Sequence, residues 1–138
     1  MMTGRVLGLD FGQKRIGVAV SDPFGMMAMP LKFIPNNPGT MKALKALIVE
    51  YQIVTVVLGL PLNMKGEETP SSQKVRTFAD RIKAGLGVEV MFQDERFSTQ
   101  AVERELIAAD MRREQRREVI DSQAAAFVLQ GYIDKKRN

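Results

Sequence analysis

Short β-branched apolar runs alternate along this chain with stretches whose apolar residues recur every three or four positions. Residues 6–9 and 16–20 are apolar runs too short for helices, and predict two strands joined as a hairpin, with Gly12 in a connection where positive φ is often needed. Residues 26–34 predict a third strand, stopped by the loop Pro35-Asn36-Asn37-Pro38-Gly39. Thr40 is the expected cap of a helix that carries Met41, Leu44, Leu47, Ile48 and Tyr51 on one stripe. Residues 53–58 are apolar on both faces, as in a central strand covered by helices on both sides.

The second half repeats the alternation. Residues 59–70 (GLPLNMKGEETP) are polar and turn-rich, and Ser71 or Ser72 is the expected cap of a helix bearing Val75, Phe78, Ala79 and Ile82, stopped by Gly85 and Gly87. Residues 88–92 predict another strand. Ser98 or Thr99 opens a helix with Val102, Leu106 and Ala109 on one side, and a last helix spans about 118–134. The order β-β-β-α-β-α-β-α-α, without repeat or linker, makes residues 1–138 one expected α/β domain.

Composition narrows the chemistry mainly by what is missing. The chain has 138 residues, 45% apolar and 26% charged, which suits one globular domain. No apolar run approaches the roughly 20 residues of a membrane span. No secretory signal pattern opens the chain, so no membrane partner and a cytoplasmic location are expected. Histidine and cysteine are both absent, which excludes Ser-His triads, thiol nucleophiles, zinc thiolate sites and disulfides. Any metal must be held by hard oxygen ligands, which favour Mg²⁺ or Mn²⁺. The net charge of +4 conceals clusters: Arg112, Arg113, Arg116 and Arg117, placed between the last two helices, and Lys135, Lys136 and Arg137. Such blocks attract polyanions.

Acids are expected at the carboxyl edge of the sheet, where open α/β sheets form their sites. Asp10 ends the first strand there, and Asp94 and Glu95 end the last. Side chains alternate along a strand, so Asp94 and Glu95 point oppositely and only one can face Asp10. The spacing leaves open which. Asp121 shares a helical stripe with Ala125, Val128 and Tyr132, a placement that the helix macrodipole alone would also favour. Three carboxylates this close repel one another unless a cation neutralises them. Two ions roughly 3.5–4 Å apart would suit phosphodiester hydrolysis.

The segments LDFGQKRIGVAVSD, VLGLPLNMKG, QDERFST and IDSQAAAFVL, in that order, resemble the YqgF/RuvX family, the pre-16S rRNA nuclease and Holliday-junction-resolvase-like group. That resemblance implies an RNase H-like fold with a mixed central five-stranded sheet flanked by helices. It implies a metal-dependent endonuclease that hydrolyses phosphodiester bonds at the 5′ end of precursor 16S ribosomal RNA. A resolvase-like DNA nuclease and a non-catalytic nucleic-acid-binding protein are the alternatives. By the resemblance Asp10, Glu95 and Asp121 are the catalytic and metal-binding residues, and Asp94 becomes structural, a partner for Arg96.

The same resemblance sets Asn63 and Lys65 beside the substrate, although the family often carries an acid where this chain has Lys65. Lys14, Arg15, Arg96, Ser98, Thr99, Arg112, Arg113, Arg116 and Arg117 complete the expected nucleic-acid contacts, Ser98 and Thr99 through a helix N-terminus suited to phosphate. Phe11 and Phe97 flank two of the acids and either stack on bases or pack inside. The expected partner is nucleic acid, precursor rRNA ahead of branched DNA, bound by a monomer or weak homodimer. A sugar-kinase or actin-like phosphotransferase is a rival reading of the acid-glycine hairpin, weakened by the lack of a second lobe and by the late acids.

Overall fold

The computed structural model describes residues 4–95 and the backbone of residues 113–137, with side chains from Ser122 onward in the second span. Its elements are β1 (Arg5–Phe11), β2 (Arg15–Ser21), β3 (Ala28–Pro35), α1 (Thr40–Tyr51), β4 (Ile53–Leu60), α2 (Pro70–Leu86), β5 (Glu89–Asp94) and α3 (Arg113–Arg137). The strands form one sheet in the order β3-β2-β1-β4-β5. β1 pairs antiparallel with β2, and β2 with β3, while β1–β4 and β4–β5 are parallel. The expected mixed five-stranded sheet is therefore present. The helix expected from Ser98 or Thr99 lies outside the described residues. Among the described residues, no helix is long and apolar enough to cross a membrane.

Strand alternation divides the core into two layers. Leu7, Leu9, Val56 and Leu58 face α1 and α2, where they bury Leu44, Val75, Phe78 and Ile82. Ala19 and Val57 face α3 and its Ala125, Val128, Leu129 and Tyr132. Gly8 lets this second layer close tightly: a Cβ there would stand 2.6 Å from Leu129 Cβ and 3.1 Å from the Ala125 carbonyl oxygen. The helix backbone thus lies almost directly on β1.

Two contacts fix the direction of α3. The Ser122 hydroxyl donates to the Leu31 carbonyl, and Gln130 spans the other end, accepting from Ala28 N–H (2.9 Å) and donating to the Met26 carbonyl (3.0 Å). Leu31 is level with Val18 and hence with Leu9, whereas Ala28 is level with Ser21 at the opposite end. α3 therefore runs antiparallel to β1, with its N-terminal part over the carboxyl end of that strand.

Several local expectations change. Residues 113–117 are already helical, ahead of the expected start near 118, because residues 113–121 are mostly Arg, Glu and Gln, good helix formers with no glycine or proline among them. Arg113, Arg116 and Arg117 are therefore helical and not in a connection. Thr69, not Ser71 or Ser72, caps α2, in a capping box with Ser72 and with Pro70 in the first turn. α2 runs through Gly85 and stops at Gly87, whose φ is 65°.

Gly39 occupies the cap position of α1. Thr40 is the first helical residue, its hydroxyl accepting from Asn37 N–H (3.0 Å) and donating to the Pro35 carbonyl (2.9 Å). β3 starts at Ala28 rather than 26, since the Asp22 carboxylate accepts from the Met26 and Met27 amides and holds them in a turn. Gly12 is absent from the positive-φ glycines; it is required because a Cβ would fall 2.4 Å from the Arg15 carbonyl oxygen.

Candidate active site

Asp10 is the penultimate residue of β1, inside the strand rather than beyond it, and pairs across the hairpin with Gly17. It shares the α3 face with Gly8, two residues earlier. Leu9 is level with Leu58 on the parallel neighbour β4, which sets Gly59 beside Asp10. One strand further, Gly59 is level with Gln93 and Leu60 with Asp94. Glu95 continues this ladder by donating its N–H to the Leu60 carbonyl at 3.3 Å.

Alternation decides between the two neighbouring acids. Val90 belongs to the layer under α1 and α2, and Asp94 follows on that side. Gln93 lies against Gly131 of α3, and Glu95 follows on this other side, with Asp10. The Glu95 side chain reaches over Gly59, where a Cβ would stand 2.5 Å from its Oε2 and 3.2 Å from Val128 Cγ2. Gly59 is thus part of the site's construction. Its signal in the sequence was a glycine inside an apolar strand, which marks a close approach.

The Asp10 and Glu95 carboxyl groups share a hydrogen bond. Burial pushes the Asp10 carboxyl above its usual range, and the bond from Glu95 partly offsets this. Glu95 is pushed up to about 9, first by burial, then by the charge and hydrogen bond of Asp10, and last by the charge of Asp94. At neutral pH the pair therefore holds a proton between two oxygens, the response of two like acids buried side by side. The pair itself offers carboxylate oxygens, donors matched to a hard cation.

Asp121 lies on α3 one turn before Ala125, whose carbonyl covers Gly8. Since α3 runs antiparallel to β1, position 121 falls further toward the Asp10 end of the strand. Among the described side chains no group of three acids gathers; Asp10 and Glu95 are the pair that does.

A family profile described as "RuvX: Holliday junction resolvase" matches residues 4–135. The chain belongs to the RuvX family. It is 47% identical to a Clostridioides difficile protein named "Putative pre-16S rRNA nuclease", over 100% of this chain and 99% of that one. A protein of the same name from Sphingopyxis alaskensis is 50% identical over 95% of this chain and 87% of its own. Among solved structures, Thermus thermophilus RuvC in complex with Holliday junction substrate superposes with a TM-score of 0.58 at 16% identity, covering 97% of this chain and 96% of that one. The fold is accordingly RNase H-like.

Other expected contact residues of this RuvX chain take varied positions. Lys14 is exposed at the hairpin tip, and the Arg15 guanidinium lies 5.2 Å from the centre of the Phe33 ring. Asn63 is committed to its own loop: its Oδ1 accepts from the Lys65 and Glu67 amides, both at 2.9 Å, and its Nδ2 donates to Glu67 Oε1 at 3.1 Å. Lys65 is exposed beside it. The Pro61 carbonyl accepts from the Ser72 hydroxyl, tying the start of this loop to α2. Phe11 turns to the opposite face from Asp10 and packs on Phe78 with ring centroids 4.7 Å apart.

Arg113, Arg116 and Arg117 are helical residues of α3. Arg96, Phe97, Ser98, Thr99 and Arg112 lie outside the described residues.

Proposed function

We propose that this chain is a metal-dependent endonuclease in which Asp10, Glu95 and Asp121 hold Mg²⁺ or Mn²⁺ at the carboxyl edge of the sheet. The observation that carries the proposal is the buried, hydrogen-bonded pair of carboxyl groups on Asp10 and Glu95, which burial and their mutual repulsion lead to retain a proton. A hard divalent ion bound there would supply Lewis acidity toward a phosphodiester and lower the pKa of an attacking water. Gly59 leaves the room that the Glu95 carboxyl group fills, with Val128 on the same side, and α3 packs closely on Gly8. Asp121 would join the pair from α3.

The substrate proposed is precursor 16S ribosomal RNA near its 5′ end, supported by the names of relatives 47% and 50% identical to this chain. Lys14, Arg15 and Lys65 on the described surface, with Arg96, Ser98, Thr99 and the arginines of 112–117, would meet the sugar-phosphate backbone. The protein would work in the cytoplasm as a monomer or weak homodimer. A junction-cutting DNA nuclease is the second reading, favoured by the description of the matching family. The test is a cleavage assay on a precursor 16S fragment, unrelated single-stranded RNA and a four-way DNA junction, in Mg²⁺, Mn²⁺ and EDTA. Metal-dependent cutting confined to the precursor RNA supports the first reading. Cutting confined to the junction supports the second, and equal cutting in EDTA opposes both.

A further inference from the structure

On the face of the sheet opposite Asp10, a pocket of about 450 Å³ opens between the hairpin tip and α2, lined by Phe11, Gln13, Asn36, Lys74, Thr77 and Arg81, with Gln73 and Phe78 completing it. Its size lies within the roughly 300–1,000 Å³ usual for small-ligand sites. Its floor is the Phe11–Phe78 pair, with Phe78 buried and Phe11 only partly so. One face of α2 forms the wall, since 73, 74, 77, 78 and 81 recur at one-turn spacing. Asn36 pins the hairpin by donating from Nδ2 to the Gly12 carbonyl at 2.8 Å.

No carboxylate lines this pocket, and among the described residues neither Lys74 nor Arg81 pairs with one. A wholly apolar ligand would desolvate those two cations without return, and an inorganic anion would leave the aromatic floor wet. A planar aromatic group bearing negative charge satisfies both, with Gln13, Gln73, Thr77 and Asn36 as hydrogen-bonding partners.

We infer that the pocket binds a single nucleotide, its base against Phe11 and its phosphate toward Lys74 and Arg81. Phe11 directly follows Asp10 but faces the other side of the sheet, so a strand cut at the acids would deliver a neighbouring nucleotide here by rounding the hairpin tip; this source of the ligand rests on the nuclease reading above. A free nucleotide offers the same chemistry.

The experiment is an amide-resolved NMR titration of the full chain with adenosine 5′-monophosphate, and separately with adenosine and with inorganic phosphate. The expected result is shifts centred on Phe11, Gln13, Asn36, Thr77 and Phe78, with the nucleotide tighter than either part. Lys74→Glu with Arg81→Glu should weaken binding at least about tenfold. Lys42→Glu with Lys45→Glu, on the exposed side of α1, should not. No shifts at these amides, or equal weakening by both double variants, overturns the inference. The source follows from cleavage by the Lys74/Arg81 variant: a raised KM with unchanged kcat assigns the pocket to the strand, and unchanged kinetics with lost nucleotide binding assigns it to a free nucleotide. If the protein cleaves nothing, the nuclease reading fails while the titration still decides the pocket.

Discussion

The Glu95 carboxylate lies directly over Gly59, so close that a Cβ on Gly59 would stand 2.5 Å from Oε2. Glu95 ends a flexible side chain, so Gly59→Ala would be relieved by swinging the carboxylate away from Asp10. Displacements of about 1 Å at a catalytic group can cost about 100-fold in rate. Gly59→Ala is therefore expected to lower single-turnover cleavage by about that factor, with little change in the thermal midpoint. A rate within a factor of about two of the unaltered protein would contradict this placement.

The proton held by Asp10 and Glu95 gives stability a pH dependence of defined sign. Glu95 keeps its proton to about 9 in the folded chain, against an ordinary 4.5. Between those values the folded state binds more protons than the unfolded state, so this contribution is fully present at low pH and is lost as pH rises toward 9. Glu95→Gln removes it. In metal-free buffer the variant should gain thermal midpoint relative to the original protein as pH rises from 5 to 9, and an unchanging difference would count against the shared proton.

Gly8 tests the packing that brings α3 over β1. A methyl group there would meet Leu129 Cβ at 2.6 Å and the Ala125 carbonyl oxygen at 3.1 Å, both on the helix scaffold rather than on a mobile tip. Gly8→Ala should destabilise by about 1–3 kcal/mol, as overpacking in a filled core does. Chemical denaturation measures it, and a loss below about 0.5 kcal/mol would mean that α3 sits further from the sheet.

Strand alternation made part of this site legible. It placed Asp94 and Glu95 on opposite faces from spacing alone, and the structure sets Glu95 on the α3 side with Asp10. What alternation could not convey was the reason for each glycine. Gly12 looked like a positive-φ residue, yet its need is steric, against the Arg15 carbonyl. Gly59 reads as the start of the turn-rich segment 59–70 yet lies inside β4; its partner Glu95 is 36 residues away in sequence and meets it only through the β4–β5 ladder. The helical state of residues 113–117 was hidden because a run of arginines reads as a polar connection, while its helix propensity favours a helix. The family resemblance sets Asn63 beside the substrate, and nothing local in the sequence reveals that three hydrogen bonds of its own loop also engage its amide.

That occupation is itself testable. Asn63→Ala removes the acceptor for the Lys65 and Glu67 amides in an exposed loop, where each neutral bond contributes roughly 0.5–1.5 kcal/mol at most. Hydrogen exchange at those two amides should quicken by about tenfold while exchange in β4 stays unchanged. Unaltered exchange at both would free the side chain for another role.

The most direct measurement is single-turnover cleavage of a precursor 16S rRNA fragment, in Mg²⁺ and in Mn²⁺, by the unaltered chain and by Asp10→Asn, Glu95→Gln and Asp121→Asn. The account predicts a loss of at least about 100-fold for each variant, with folding intact by circular dichroism. Cleavage that persists in all three at the original rate would contradict it.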